Sequence, residues 1–317
     1  MTNLVATDES RRVILAGGAG FLGRALARVF AQEGREVVIL SRRPAPADGL
    51  IRTVIWDGRT VGDWAKELNG ADAVVNLTGR SVACLYTPEN KREIISSRVD
   101  SVRAIALACE QCDEPPPVLV QASSLAIYGD AGDRICEETT PHGTGFSVQV
   151  CEAWEKAFFD DAAGGARRVA LRIGFVLGQD GGALGQLAKL ARWFIGGAAG
   201  NGRQYISWLH IDDFCAMVRW AIENPEAEGV YNATGSTPAT NAEFMRALRA
   251  TLGRPWSPPT PVWAVKLGAH FIMQADASLA LTGRRCVPRR FLDEGFTLRH
   301  TDLNATLREL LAPQKNV

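Results

Sequence analysis

The segment Ala16-Gly17-Gly18-Ala19-Gly20-Phe21-Leu22-Gly23 constrains the fold of this chain more than any other. It follows an apolar run at residues 13–15. It precedes a stretch that places Leu22, Leu26, Val29 and Phe30 on one helical face, closed by Gly34. A strand, a turn with Gly17, Gly20 and Gly23 spaced GxxGxxG, and a helix form the opening of a βαβ unit. In such a turn one glycine makes the tight bend, the next lets backbone approach a pyrophosphate, and the last lets helix and strand pack closely. The free N–H groups of the helix then face the phosphates. A glycine turn alone also fits a flexible connection; the strand–turn–helix context selects a dinucleotide site.

The same alternation continues along the chain. Residues 36–41 (EVVILS), 52–57 (RTVIWD), 71–79 (ADAVVNLTG), 118–129 (VLVQASSLAIYG) and 167–178 (RRVALRIGFVLG) read as further strands. Helical patterns lie between them: a short one over 61–70, a long one started by Thr87-Pro88-Glu89 and running to about 111, and one around 147–160. A threonine cap, proline at the first helical position and an acid in the first turn make a strong helix start. Short buried strands alternating with helices imply an α/β fold with a doubly wound parallel sheet. Beyond residue 179, glycine-rich loops flank a helix, and 205–213 and 229–235 return as strands around a helical stretch. From Ser236 the chain reads as mostly helical, interrupted by PWSPPTP. The expected organisation is a disordered tail over 1–11, a nucleotide-binding domain over 12–235 whose residues 179–202 contribute to the substrate side, and a smaller lobe over 236–317. A ligand cleft is expected between the two lobes.

Charge and cysteine usage narrow the function classes. Lysine plus arginine equals aspartate plus glutamate at 35 each, so nothing suggests a nucleic-acid or membrane-surface partner. No apolar run approaches the roughly 20 residues of a membrane helix, and the N-terminus lacks a secretory apolar region. The expected location is cytoplasmic, with a small molecule as substrate and at most a second copy of the chain as partner. The seven cysteines are scattered, which suits a reducing compartment. Cys109 and Cys112 form a lone CxxC near the end of the long helix and read as core-facing residues.

The end of the second strand addresses which nicotinamide cofactor fits. NAD sites usually place an acid there for the ribose 2′-hydroxyl. Here the positions hold Ser41, Arg42 and Arg43, and a guanidinium can clamp a 2′-phosphate, so NADP(H) is expected over NAD(H). A solvated basic loop is the competing account. Trp56-Asp57 and Leu77-Thr78-Gly79 end the third and fourth strands at the same sheet edge. They fit a ligand site, and equally strand-end turns.

These motifs together resemble the extended short-chain dehydrogenase/reductase superfamily, which includes the nucleotide-sugar epimerases. GGAGFLG resembles its glycine motif, NLTG its fourth-strand element, SSLAIYG (123–129) its fifth-strand SSxxVYG, and SWLHIDDF (207–214) its YIHVDD element. SVACLYTPENKREIISSRV, CEAWE, LRIGFVLG and ISWLHIDD look closer to an atypical epimerase-family branch with an extra C-terminal domain of unknown function. VPRRFLDEGFTLRHTDL (287–303) resembles the core of that domain. The resemblance implies cofactor contacts from Gly17, Gly18, Gly20, Phe21, Leu22, Gly23, Ser41, Arg42, Arg43, Trp56, Asp57, Leu77, Thr78, Gly79, Arg98, Ser123 and Ile173.

It also implies a serine with a YxxxK pair for proton transfer. Ser124 fits the serine. Aligned through Cys151-Glu152-Ala153-Trp154, the tyrosine falls on Phe146 and the lysine on Val150, neither of which can do that chemistry. Tyr128 and the loop histidine His142 are the candidate substitutes, while His210 and Trp208 read as structural. Arg284, Arg285, Arg289 and Arg290 form a basic cluster that suits either an acidic substrate or a surface contact. No HExxH, paired CxxC or carboxylate–histidine cluster is visible, so no metal is expected, and GxSxG is absent. The resulting expectation is an NADP(H)-dependent oxidoreductase or epimerase-like enzyme. The alternative is a non-catalytic NADP(H)-binding sensor or interaction protein; a sugar-nucleotide epimerase proper is weaker without the YxxxK pair.

Overall fold

The structure, a computed structural model, describes residues 11–161, 163–254, 256–272 and 274–312. The expected tail thus lies, apart from Arg11, outside the described residues. The nucleotide-binding half runs β1 (Arg12–Ala16), α1 (Phe21–Gln32), β2 (Glu36–Ser41), β3 (Ile51–Ile55), β4 (Ala73–Asn76), α2 (Pro88–Glu110), β5 (Val118–Ser124), β6 (Ile135–Cys136), α3 (Phe146–Asp160) and β7 (Arg167–Ile173). It continues through β8 (Phe175–Leu177), α4 (Leu184–Arg192), β9 (Tyr205–Ile206), β10 (Trp208–His210), α5 (Ile211–Glu223) and β11 (Gly229–Ala233). The C-terminal lobe carries β12 (Ala239–Thr240), α6 (Asn241–Thr251), α7 (Val262–Leu267), α8 (Ser278–Leu281), β13 (Arg285–Cys286), α9 (Arg289–Asp293) and α10 (Leu303–Leu311).

Seven strands form one parallel sheet in the order β11-β7-β5-β4-β1-β2-β3. Each central strand is apolar on both sides because helices cover both faces. In β1, Val13 and Leu15 face the side of α1 and α5, whereas Ile14 and Ala16 face the side of α2 and α3. The strand order reverses between β1 and β4, where doubly wound sheets open a crevice for ligands. Ala16 pairs with both Leu40 and Asn76 there. Among the described residues no helix is long and apolar enough to cross a membrane.

Two segments depart from the strand pattern read in the sequence. The fifth strand ends at Ser124, whose Oγ accepts from the Ala126 amide and turns the chain into a 3-10 helix, Leu125–Tyr128. Gly174 breaks the run 167–178: a Cβ there would lie 2.5 Å from the Ser207 oxygen, and β8 leaves the main sheet to pair with β10. The short helix near residue 65 is likewise 3-10, Asp63–Leu68. The helix start at Thr87 is as read, with its side chain accepting from the Asn90 amide. Two-residue strands β6 and β13, too short to show a period, pair in parallel and tie the C-terminal lobe to the segment after β5.

Candidate active site

The glycines of the first turn differ in what holds them there. Gly17 has φ +72°, and a Cβ would meet Thr78 at 2.9 Å. A Cβ on Gly18 would meet Leu15 at 2.8 Å, and one on Gly23 would meet the Gly18 oxygen at 2.3 Å. Gly20 has an ordinary φ of −78°, and a Cβ would find nothing nearer than the Gly17 oxygen at 3.9 Å. The protein's own packing therefore requires three of these glycines and leaves the fourth unexplained. Gly20 precedes the first turn of α1, which has no side-chain cap and no acid. Beside the turn, Thr78 Oγ1 is buried without a hydrogen-bond partner. Phe21 packs its ring against the 178–182 loop, within 2.7 Å of where a Gly178 Cβ would sit, and Leu22 packs against the core.

At the end of β2 the Ser41 hydroxyl accepts from the Arg43 amide. Arg42 and Arg43 are exposed, and neither has an ion pair among the described residues. At the end of β3, Trp56 is buried and donates to the Thr60 oxygen at 3.0 Å, with its ring 4.8 Å from that of Trp64. Asp57 accepts from the Arg59 and Thr60 amides and the Thr60 hydroxyl. Burial works against its charge, but those Thr60 and Arg59 bonds outweigh it and hold the carboxyl below its ordinary value. Both residues thus shape the strand-end turn. A groove of about 610 Å³ runs along this edge from Thr53 to Asp57 and over the 3-10 helix to Glu67. It is open and follows the outermost strand, so the site is better located by the glycine turn and the strand reversal.

At the end of β4, Asn76 donates to Gln121 and accepts from the Thr78 amide, which fixes the Leu77-Thr78-Gly79 turn. Arg98, on α2, lies directly behind it: a Gly79 Cβ would sit 3.0 Å from the Arg98 guanidinium carbon. Arg98 is buried, donates to the oxygens of Arg80 and Ile94, lies 4.8 Å over the Trp154 ring and has no carboxylate partner. Burial draws its pKa down, and its Nε is unpartnered.

Of the serines ending β5, Ser123 is buried and donates to Glu155 at 2.6 Å, whereas Ser124 is partly exposed beside Ile173 at the end of β7. Tyr128, expected as a proton donor, is fully buried. Its hydroxyl donates to Asn232 at 2.8 Å and accepts from Arg172 at 2.9 Å. Burial raises its pKa despite the nearby guanidinium. This placement gives Tyr128 a structural part in a network with Arg172, Glu155 and Asn232. His142 Nδ1 lies 3.0 Å from Glu152 and Nε2 lies 3.2 Å from Arg172, which always donates; Nε2 must accept, placing the proton on Nδ1.

Phe146 opens α3, and Val150 is buried one turn later. The ring of Tyr86, from the loop before α2, meets that of Phe146 edge-on at 4.9 Å. Its hydroxyl is enclosed, with the Ser147 side chain as its polar neighbour. Burial raises its pKa, while the Ser147 side chain and, more weakly, Arg98 pull it down. The sequence reading missed Tyr86; the only signal was that the chain has just four tyrosines.

The basic cluster of the C-terminal lobe is dispersed. Arg289 pairs with Glu137, Arg290 with Glu294 and the Tyr231 ring, and Arg285 lies over Tyr205. Arg284 turns inward. Trp208 is buried in the core with its Nε1 donating to Thr237. Cys109 is buried, which pushes its thiol up to about 12 and suits the core reading of the CxxC. The sequence showed no carboxylate–histidine cluster, but the fold assembles one: ligand atoms of His210, Asp212, His300 and Glu309 lie within 4.8 Å of one another. Two segments, 210–212 and 300–309, at least 88 positions apart, had to meet for it to form. His210 Nδ1 accepts from the Asp212 amide, so its Nε2 carries hydrogen when neutral. The cluster thereby caps α5 and ties α10 to it.

The NAD dependent epimerase/dehydratase family matches residues 13–234, and a domain of unknown function, DUF1731, matches residues 260–310. The human epimerase family protein SDR39U1 is 33% identical over 95% of this chain and 100% of its own length. YfhF of Bacillus subtilis is 30% identical over 96% and 99%. A crystal structure of the human SDR39U1 protein (isoform 2) with NADPH superposes with a TM-score of 0.84 at 31% identity, covering 94% of this chain and 98% of that one. A UDP-N-acetylglucosamine 4-epimerase from Bacillus cereus shares the fold at 17% identity and a TM-score of 0.68, over 95% of each chain. The chain belongs to the NAD dependent epimerase/dehydratase family, in the group whose members carry a DUF1731 domain at the C-terminus.

Proposed function

We propose that this chain binds NADP(H) and moves a hydride between its nicotinamide and a small carbonyl or hydroxyl compound held under the C-terminal lobe. The observation that carries the reading is Gly20: the protein's own packing leaves room for a side chain there, so a ligand's approach accounts for the glycine. The uncapped start of α1 and the orphaned Thr78 hydroxyl offer donors toward the same turn. The unpaired Arg42 and Arg43 suit a 2′-phosphate. The NADPH found with the human relative supports the same choice.

When bound, the reduced nicotinamide supplies the hydride. Ser124 orients the substrate oxygen, and Tyr86 gives it the proton that Phe146 cannot. Solvent then restores the Tyr86 proton, and Arg98 stabilises the tyrosinate in between. A second reading, a binding module without turnover, draws on Phe146 and Val150 standing where the family's tyrosine and lysine are expected.

Fluorescence titration with NADPH and NADH, on wild type and Gly20→Asp, followed by absorbance at the NADPH band with small carbonyl compounds, separates these readings. Turnover that needs intact Gly20 supports a reductase. Binding without turnover favours the module, and absence of NADPH binding rejects both.

A further inference from the structure

Arginines buried in this molecule differ in how completely they are satisfied. Arg172 makes two bonds of 2.9 Å to the Glu155 carboxylate. Arg35 pairs with Glu33 and Glu223. Arg98 lacks an acid but has two carbonyls and an aromatic face. Arg284 has only the Thr282 hydroxyl, at 3.4 Å, and its Nε is enclosed without a partner. Burial draws its pKa down, and the groups around it are the thiols of Cys286, Cys151 and Cys136 and the carboxylate of Asp130. None of these bonds the guanidinium; Asp130 instead accepts from the Gly283 amide. The residue as a whole is partly exposed.

Position gives this cation a use. β13, which begins one residue later, pairs with β6, and the Ala131 amide donates to the Gly283 oxygen. Cys151 lies on α3, five residues after Phe146. Arg284 thus stands between the segment that follows Ser124 and the helix that Phe146 begins. A guanidinium that no acid bonds, set among thiols, favours an anion that can accept its fork of N–H groups.

We propose that Arg284 anchors an anionic substrate, a small carbonyl or hydroxy compound bearing a carboxylate or a phosphate. The proposal rests on the cofactor-dependent reading above. Within the protein, the competing counter-charge is Cys136. The Cys286 thiol bonds it and, with smaller contributions from Arg134 and Arg284, draws its pKa below the ordinary thiol value.

The test is calorimetric titration of the NADPH-saturated full chain with acetate, inorganic phosphate and, as a neutral control, acetamide. Saturable binding of acetate or phosphate but not acetamide is expected, and the tighter of the two distinguishes carboxylate from phosphate. Arg284→Met should weaken that anion at least tenfold while leaving NADPH affinity within twofold. Arg289→Met, at an exposed residue paired with Glu137, should change neither. Arg284→Met should also leave the melting temperature of the ligand-free protein unchanged or higher, because it removes a cation without a partner. Cys136→Ser should keep the anion site. Equal anion binding by wild type and Arg284→Met overturns the proposal, as does no saturable binding of either anion. So does a tenfold loss of NADPH affinity, which would make the anion the cofactor's own. A clear drop in melting temperature, or loss of the anion site in Cys136→Ser, would show Arg284 to be a structural partner of that thiol and overturns it too. If NADPH fails to bind wild type, the cofactor reading falls, and the anion titration on the free chain still decides this one.

Discussion

Two arginine-centred regions border α3, and they are built in opposite ways. In the Arg172 region the cation itself is fully answered, although Glu138 Oε2 beside it is not. The guanidinium holds Glu155 and the Tyr128 hydroxyl, Glu155 also accepts from Ser123, and Tyr128 donates to Asn232. In the Arg284 region no acid bonds the cation among the described residues, and nearby, across α3, Arg98 also keeps an unpartnered nitrogen. Burying an unanswered polar group costs free energy. A fold tolerates that cost where a ligand completes the arrangement, and the complete network fixes the elements around it.

The sharpest way to break this comparison is to remove one member of the complete network. Glu155→Ala leaves Arg172 buried and unpaired and should destabilise the chain by about 3–5 kcal/mol in denaturant unfolding. A loss near that for Arg284→Met instead would erase the distinction. Next in size is Gly20→Asp, which places a carboxylate against the cofactor phosphates at a cost of several kcal/mol, roughly a hundredfold or more in NADPH affinity. Its melting temperature should stay close to wild type, since the site has room for a side chain. Unchanged NADPH affinity in that variant would move the cofactor elsewhere.

Tyr86→Phe preserves the ring contact with Phe146 and should lower turnover of a carbonyl substrate roughly a hundredfold, within the range of general acid catalysis. NADPH affinity should not change. Full activity would return the proton to solvent or to His142.

The smallest effect concerns His210. Its pKa lies below the ordinary 6.5, first because it is buried and then because His300 stacks on it, although Asp212, Glu309 and Asp213 pull the other way. The unfolded chain therefore binds the proton more readily. The stability this contributes is complete above about pH 6.5 and is lost as pH falls through the folded pKa. Thermal melts from pH 7.5 to 5.5 should fall more steeply for wild type than for His210→Asn, whose side-chain oxygen can still accept from the Asp212 amide. Parallel slopes would remove His210 from the account.

Much of the nucleotide half could be read locally, because its signals are local. Residues 12–34 carry a strand, the glycine turn and α1 in one continuous pattern, and Thr87-Pro88-Glu89 starts α2 where it stands. The fifth strand was read too long because the run 118–129 stays apolar past Ser124, and only the Ser124 side-chain bond to Ala126 shows the turn. The substrate side was hardly legible. Tyr128 looked available four residues from Ser124, yet Asn232 and Arg172, 104 and 44 residues away, occupy its hydroxyl. Tyr86 carries no local signal of its place, and only the fold sets it against Phe146.

The sequence by itself determined the doubly wound sheet, the glycine turn and the absence of an acid after β2, since apolar period and backbone freedom act within a few residues. Only the tertiary structure decided which buried charges have partners. That depends on side chains far apart in the chain meeting within about 3 Å, and no local pattern encodes such a meeting.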